Sequence, residues 1–126
     1  MAHELILVVE DNEQNRKLVR DVLTFKGYEV IEAETGEEGV RLARTRGPRL
    51  VLMDIRLPGI DGIEALGQLR AEPATREIPV MAMTASVMTQ DRRKIMAAGF
   101  DAFQGKPIKV KDFVATVEQL LERPRP

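Results

Sequence analysis

The chain has 126 residues, no cysteine and a formal net charge of −1, with 44% hydrophobic and 31% charged residues. That length suits one globular domain of about 14 Å radius of gyration, and it excludes a disulfide framework, thiol chemistry and zinc–thiolate sites. The near-neutral charge, 4% aromatic content and lack of Trp argue against direct nucleic-acid binding, which needs a basic footprint or stacking platforms.

Leu5–Val9 is continuously apolar, as expected of a strand covered on both faces. Leu18, Val19, Val22 and Leu23 then recur at helical spacing; Asn12 can cap that first helix and Gly27 stops it. Tyr28–Ala33 reads as a second strand. Thr35-Gly36-Glu37-Glu38 forms a capping box in which hydroxyl and carboxylate satisfy free N–H groups, and its helix runs to Gly47-Pro48. Leu50–Met53 is a third strand, and Asp61 with Glu64 opens a third helix carrying Ile63, Leu66 and Leu69. Ile78–Met83 follows as strand, then a helix capped by Ser86 and ended by Gly99. A weak strand, Ala102–Gln104, precedes a last helix with the stripe Phe113, Val114, Val117, Leu120 and Leu121. Domain bounds of 3–123 are expected, with 124–126 a disordered tail, because Pro124 and Pro126 cannot continue a helix. No run approaches ~18 apolar residues, and Met1-Ala2-His3-Glu4 does not open as a signal peptide. A cytoplasmic protein without membrane insertion is expected.

Five βα units predict an α/β fold, a doubly wound five-stranded parallel sheet in flavodoxin-like (βα)5 form, order 2-1-3-4-5. Such sheets carry their site beyond the carboxyl ends of the strands, where the strand order switches. Glu10 and Asp11 follow the first strand, Asp54 ends the third, Thr84-Ala85 end the fourth, and Lys106-Pro107 follow the fifth. Three carboxylates in one crevice repel unless one is protonated or a cation intervenes. Magnesium suits them, since no His or Cys ligand is offered. Each feature also has an ordinary structural reading: a helix cap or solvated loop for Glu10-Asp11, a turn start for Asp54, a satisfied hydroxyl for Thr84, a solvated charge for Lys106. Their convergence on one sheet edge weakens those readings.

Glu10-Asp11, Met53-Asp54 with Leu57-Pro58-Gly59-Ile60-Asp61-Gly62, Thr84-Ala85 and Lys106-Pro107 together resemble the motif set of response-regulator receiver domains. Within that family the chain is similar to the single-domain regulators of cell division and polarity in alphaproteobacteria. The resemblance implies that Asp54 accepts a phosphoryl group from a sensor histidine kinase or a histidine phosphotransfer protein. It implies Mg2+ bound by Glu10, Asp11, Asp54 and the backbone carbonyl of Arg56, and Lys106 on the phosphoryl oxygens with a cis peptide to Pro107. Thr84, with Ala85 beside it, would bind the phosphoryl group, and Phe103 would turn inward. Output would pass through helix 4, strand 5 and helix 5 to a protein target, or the phosphoryl group would be relayed onward. The chain is expected to stand alone without an output domain, to catalyse only its own phosphorylation and dephosphorylation, and to be a monomer or a phosphorylation-linked homodimer.

Phe103 departs from the Tyr common at its position, so no phenolic hydroxyl can report its rotamer; a plain core aromatic is the competing reading. Arg56, two residues past the acceptor, could slow water attack, pair with an acid or do neither, and Ser86, two past Thr84, can be only a helix cap; these two positions leave the dephosphorylation rate open. Met81 and Met83 are expected in the core, Met88 and Met96 are left open between core and a contact surface, and Arg92-Arg93-Lys94 are expected on a solvated face or against an acidic partner. His3 is given no role. An aspartyl phosphohydrolase of haloacid dehalogenase type would need a second Asp where Arg56 stands. A flavodoxin-like cofactor binder would need a Gly- or Ser/Thr-rich loop where Glu10-Asp11-Asn12-Glu13 stands.

Overall fold

The computed structural model describes residues 4–85 and 89–122, without the side chains of 89–91. Ser86, Met88, His3 and the tail fall outside the described residues. Ten elements alternate: β1 (Leu5–Val9), α1 (Glu13–Phe25), β2 (Glu29–Ala33), α2 (Gly36–Arg46), β3 (Leu50–Asp54), α3 (Gly62–Ala71), β4 (Val80–Thr84), α4 (Thr89–Ala97), β5 (Ala102–Gly105) and α5 (Val110–Glu122). All strand pairs are parallel in the order β2-β1-β3-β4-β5, the flavodoxin-like arrangement predicted.

Alternation along the strands divides the core in two. Leu7, Val9, Val51, Met53, Val80 and Ala82 face α2, α3 and α4 through Val40, Leu66, Leu69 and Ile95. Ile6, Val8, Leu50, Leu52, Met81 and Met83 face α1 and α5 through Val19, Leu23, Phe113 and Val117. Each such buried aliphatic side chain contributes about 1.5–3 kcal/mol, so both faces anchor the central strands. Met81 and Met83 are buried, as expected, and Met96 is exposed.

Asn12 Oδ1 accepts the Asn15 N–H at 2.9 Å and so starts α1. Lys26 caps its end and Gly27, at φ 92°, turns the chain toward β2. Asp61 and Glu64 form the full reciprocal box at α3. The box expected at Thr35 is only half made. Thr35 Oγ1 accepts from Glu38 N at 3.1 Å, but the Glu38 carboxylate accepts from Glu34 N, one residue upstream, at 3.3 Å. β4 begins at Val80 rather than Ile78, because Ile78 N donates to Thr75 O and Pro79 has no N–H. No described helix is long and apolar enough to cross a membrane.

Candidate functional site

Val9 and Met53 are neighbours in the β1–β3 register, so the next residues, Glu10 and Asp54, emerge side by side at the carboxyl edge. Glu10 is fully buried and Asp54 nearly so, an unusual place for two acids. Lys106, directly after β5, supplies the counter-charge. Its Nζ donates to Glu10 Oε1 at 2.6 Å and to Asp54 Oδ2 at 3.0 Å. The remaining oxygens take backbone donors: Asn12 N to Glu10 Oε2 at 3.1 Å, and Arg56 N to Asp54 Oδ1 at 3.2 Å.

Burial, then the hydrogen-bonded Asp54 carboxyl, pushes the Glu10 carboxyl up to about 7, against the opposing pull of Lys106 and the Asn12 amide. For Lys106, burial alone favours the neutral amine; the two carboxylates outweigh it and hold the ammonium above the usual lysine value. Oxygens of Glu10, Asp11 and Asp54 all lie within 4.8 Å of one another, with Asp11 exposed at the mouth. This all-oxygen set can hold a metal ion and suits a hard divalent cation.

The other predicted residues surround this cluster. Thr84 is buried at the end of β4, and its carbonyl accepts the Lys106 N–H at 2.8 Å, tying the two strand ends together. Ala85 is exposed beside it, and the Lys106–Pro107 peptide is cis. Arg56 presents an exposed side chain at the mouth. Phe103 lies on β5, two strands from Asp54, half-buried, paired in register with Ala82 and packed on the α2–α4 side. It does not touch the acids through any hydrogen bond; its neighbour is Arg92, whose guanidinium carbon stands 5.1 Å from the ring centroid.

Three further residues shape the site in ways their residue types did not announce. Arg16, one turn into α1, donates from Nη1 to the Glu10 carbonyl at 3.0 Å and from Nε to Glu32 Oε1 at 3.2 Å, pinning the acidic loop to β2. Gly62 permits close approach of α3, since a Cβ there would meet the Asp54 carbonyl oxygen at 2.4 Å. Glu37 accepts from Ile60 N at 3.4 Å and braces the loop after β3. Gly62 and Glu37 stood inside quoted motifs without their role at the site being marked, and nothing in residue type marks the reach of Arg16.

Residues 6–118 match the family model of the response regulator receiver domain. The polar-differentiation response regulator DivK of Brucella ovis is 42% identical over 116 residues, covering 92% of this chain and 94% of its own length. Among solved structures, the receiver domain of the sensor histidine kinase PA1611 from Pseudomonas aeruginosa has a magnesium ion coordinated in its active site cleft. It is 32% identical with a TM-score of 0.90, over 97% of this chain and 100% of that one. A CheY-like receiver domain protein from Methanospirillum hungatei is 27% identical with a TM-score of 0.85, over 96% of this chain and 95% of its own. With the motif set, the strand order and these relatives in agreement, the chain belongs to the response regulator receiver domain family.

Proposed function

We propose that Asp54 is the phosphoacceptor of a two-component phosphorelay, supplied by a histidine kinase or a histidine phosphotransfer protein. The observation that carries this reading is the Lys106 ammonium shared by Glu10 and Asp54 at the strand-order switch. An Asp54 carboxylate oxygen attacks the phosphorus of a phosphohistidine; the P–O bond forms, the P–N bond breaks, and its electron pair leaves on the imidazole nitrogen. Such transfer needs positioning and charge neutralisation more than covalent help. Arg56 N–H orients Asp54, and Lys106 swings its ammonium from the carboxylates to the phosphoryl oxygens. Glu10, Asp11, Asp54 and the Arg56 carbonyl would hold Mg2+, which when bound offsets charge on the phosphoryl oxygens. Water attacks the phosphorus of the acyl phosphate; a new P–O bond forms, the P–O bond to Asp54 breaks, and inorganic phosphate leaves with the Asp54 carboxylate restored.

Thr84 and Ala85 take the phosphoryl oxygens from the β4 side, and Phe103 turns inward as Thr84 moves. The covalent group shifts a population because it interacts better with one state. Readout falls to α4, β5 and α5. There Met96 and Val110 are exposed beside Arg92, Arg93, Lys94, Lys109 and Lys111, a surface suited to a partner with acidic side chains around an apolar centre. Relay of the phosphoryl group onward uses the same Asp54 chemistry in reverse. A cytoplasmic setting accords with that partnership.

The test is an intact mass spectrum after incubation with phosphoramidate and magnesium, beside Asp54→Asn. One phosphoryl adduct, magnesium-dependent and absent from the variant, is expected. No adduct and no beryllofluoride binding by folded wild-type protein would overturn the reading.

A further inference from the structure

Arg92 and Phe103 belong to different elements, and no salt bridge joins Arg92 to an acid among the described residues. Its guanidinium instead lies over the Phe103 ring at 5.1 Å from the centroid, inside the range of cation–π attraction. The contact is built from both sides. Ile95, one turn further along α4, is buried in the same cluster against which Phe103 packs, so α4 is held beside β5 with Arg92 at its rim. Phe103 sits across from the small Ala82 and is only partly buried against that cluster. The cation over its ring is Arg92.

We propose that Arg92 is a positioning residue that latches Phe103 in its present rotamer and so opposes the switch to the phosphorylated state; this rests on the phosphoacceptor reading of Asp54. A latch made only in the resting state must be released when Phe103 turns inward. By linkage, whatever releases it strengthens binding of the phosphoryl group by the same factor. An acidic partner group that draws the Arg92 guanidinium off the ring would therefore favour phosphorylation, and phosphorylation would free Arg92 for that partner. Because Phe103 lacks a phenolic hydroxyl, the cation–π contact is, among the described residues, the polar hold on this ring.

The sign of the effect separates the latch from bulk electrostatics. Deleting a positive charge near an anion site weakens anion binding. Deleting the latch tightens it. Beryllofluoride affinity in magnesium, measured by titration, is expected to rise about two- to fivefold in Arg92→Leu, the range set by an exposed cation–π contact. Arg92→Lys should fall between wild type and Arg92→Leu. In a Phe103→Leu background, Arg92→Leu should no longer tighten binding. In the resting protein, the Arg92 side-chain proton resonances should show an upfield ring-current shift that Phe103→Leu abolishes. Wild-type binding with unchanged or weaker affinity in Arg92→Leu, or equal tightening in both backgrounds, overturns the latch alone. Wild type that binds no beryllofluoride overturns the phosphoacceptor reading, and the latch with it.

Discussion

Replacing Glu10 by Gln and raising the pH act on one buried carboxyl from two directions. Glu10 has an unfolded-state value of 4.5 and is pushed up to about 7 in the folded chain, burial being the main cause and Asp54 the next. Between those values the folded chain holds a proton that the unfolded chain has released, so stability falls as pH rises through the window. The stabilisation is fully present below 4.5 and fully lost above the folded value. One pKa unit corresponds to ~1.4 kcal/mol. Without metal, moving from about pH 5.5 to about pH 8 should therefore remove roughly 2 kcal/mol through this group.

Urea unfolding in EDTA at a series of pH values measures this directly. Glu10→Gln keeps the shape of the protonated acid and cannot ionise, so its stability should be nearly level where the wild type declines. Magnesium should then restore wild-type stability at high pH, by about 2.7 kcal/mol at a hundredfold excess over Kd, and restore less in the variant. Parallel declines in wild type and Glu10→Gln would refute the assignment of this titration to Glu10. A decline that magnesium leaves untouched would refute the cluster as a cation site.

Arg16→Met removes the donor to the Glu10 carbonyl, and magnesium affinity by isothermal titration should weaken about tenfold, as for lost outer-shell partners of a metal site. Gly62→Ala places a methyl group 2.4 Å from the Asp54 carbonyl oxygen; the backbone must shift, costing about 1–3 kcal/mol in urea unfolding, and Asp54 phosphorylation should slow with it. Lys106→Met leaves Glu10 and Asp54 without their shared cation. Adduct formation from phosphoramidate should fall about a hundredfold, as for loss of one charge-stabilising donor, and an undiminished rate would show that Lys106 only balances the resting acids.

The βα alternation and strand order were legible because strands covered on both faces read as unbroken apolar runs, and Leu5–Val9 and Leu50–Asp54 are buried almost throughout. Apolar Ile78 and Pro79 look like strand, yet β4 starts at Val80: Ile78 N turns back to Thr75 O, and Pro79 has no N–H to give, so only its carbonyl meets β3, accepting from Val51 N. At Thr35 the motif was right in residue type, but backbone geometry sent Glu38 to the Glu34 amide instead. Capping boxes specify which groups can pair; the local turn decides which do.

The site divides along a different line. Glu10 and Asp54 could be placed together from strand order alone, since neighbouring parallel strands end side by side. Lys106 lies 96 residues from Glu10 and reaches it only because β5 stops at Gly105, level with Thr84. That meeting depends on register, which hydrophobic pattern constrains only to the correct face. Contacts made by long side chains are less legible still. Arg16 and Arg92 are both helix-borne arginines among many, and each side chain can reach about one helical turn in any of several directions. Arg16 ends on a loop carbonyl and a β2 carboxylate, Arg92 on an aromatic ring. Neither destination follows from spacing, because it is set by what the facing strand leaves uncovered: the Glu10 carbonyl at one edge and the Phe103 face at the other. The residues that carry chemistry are thus announced by type and place, whereas those that tune it appear only when side chains have been packed.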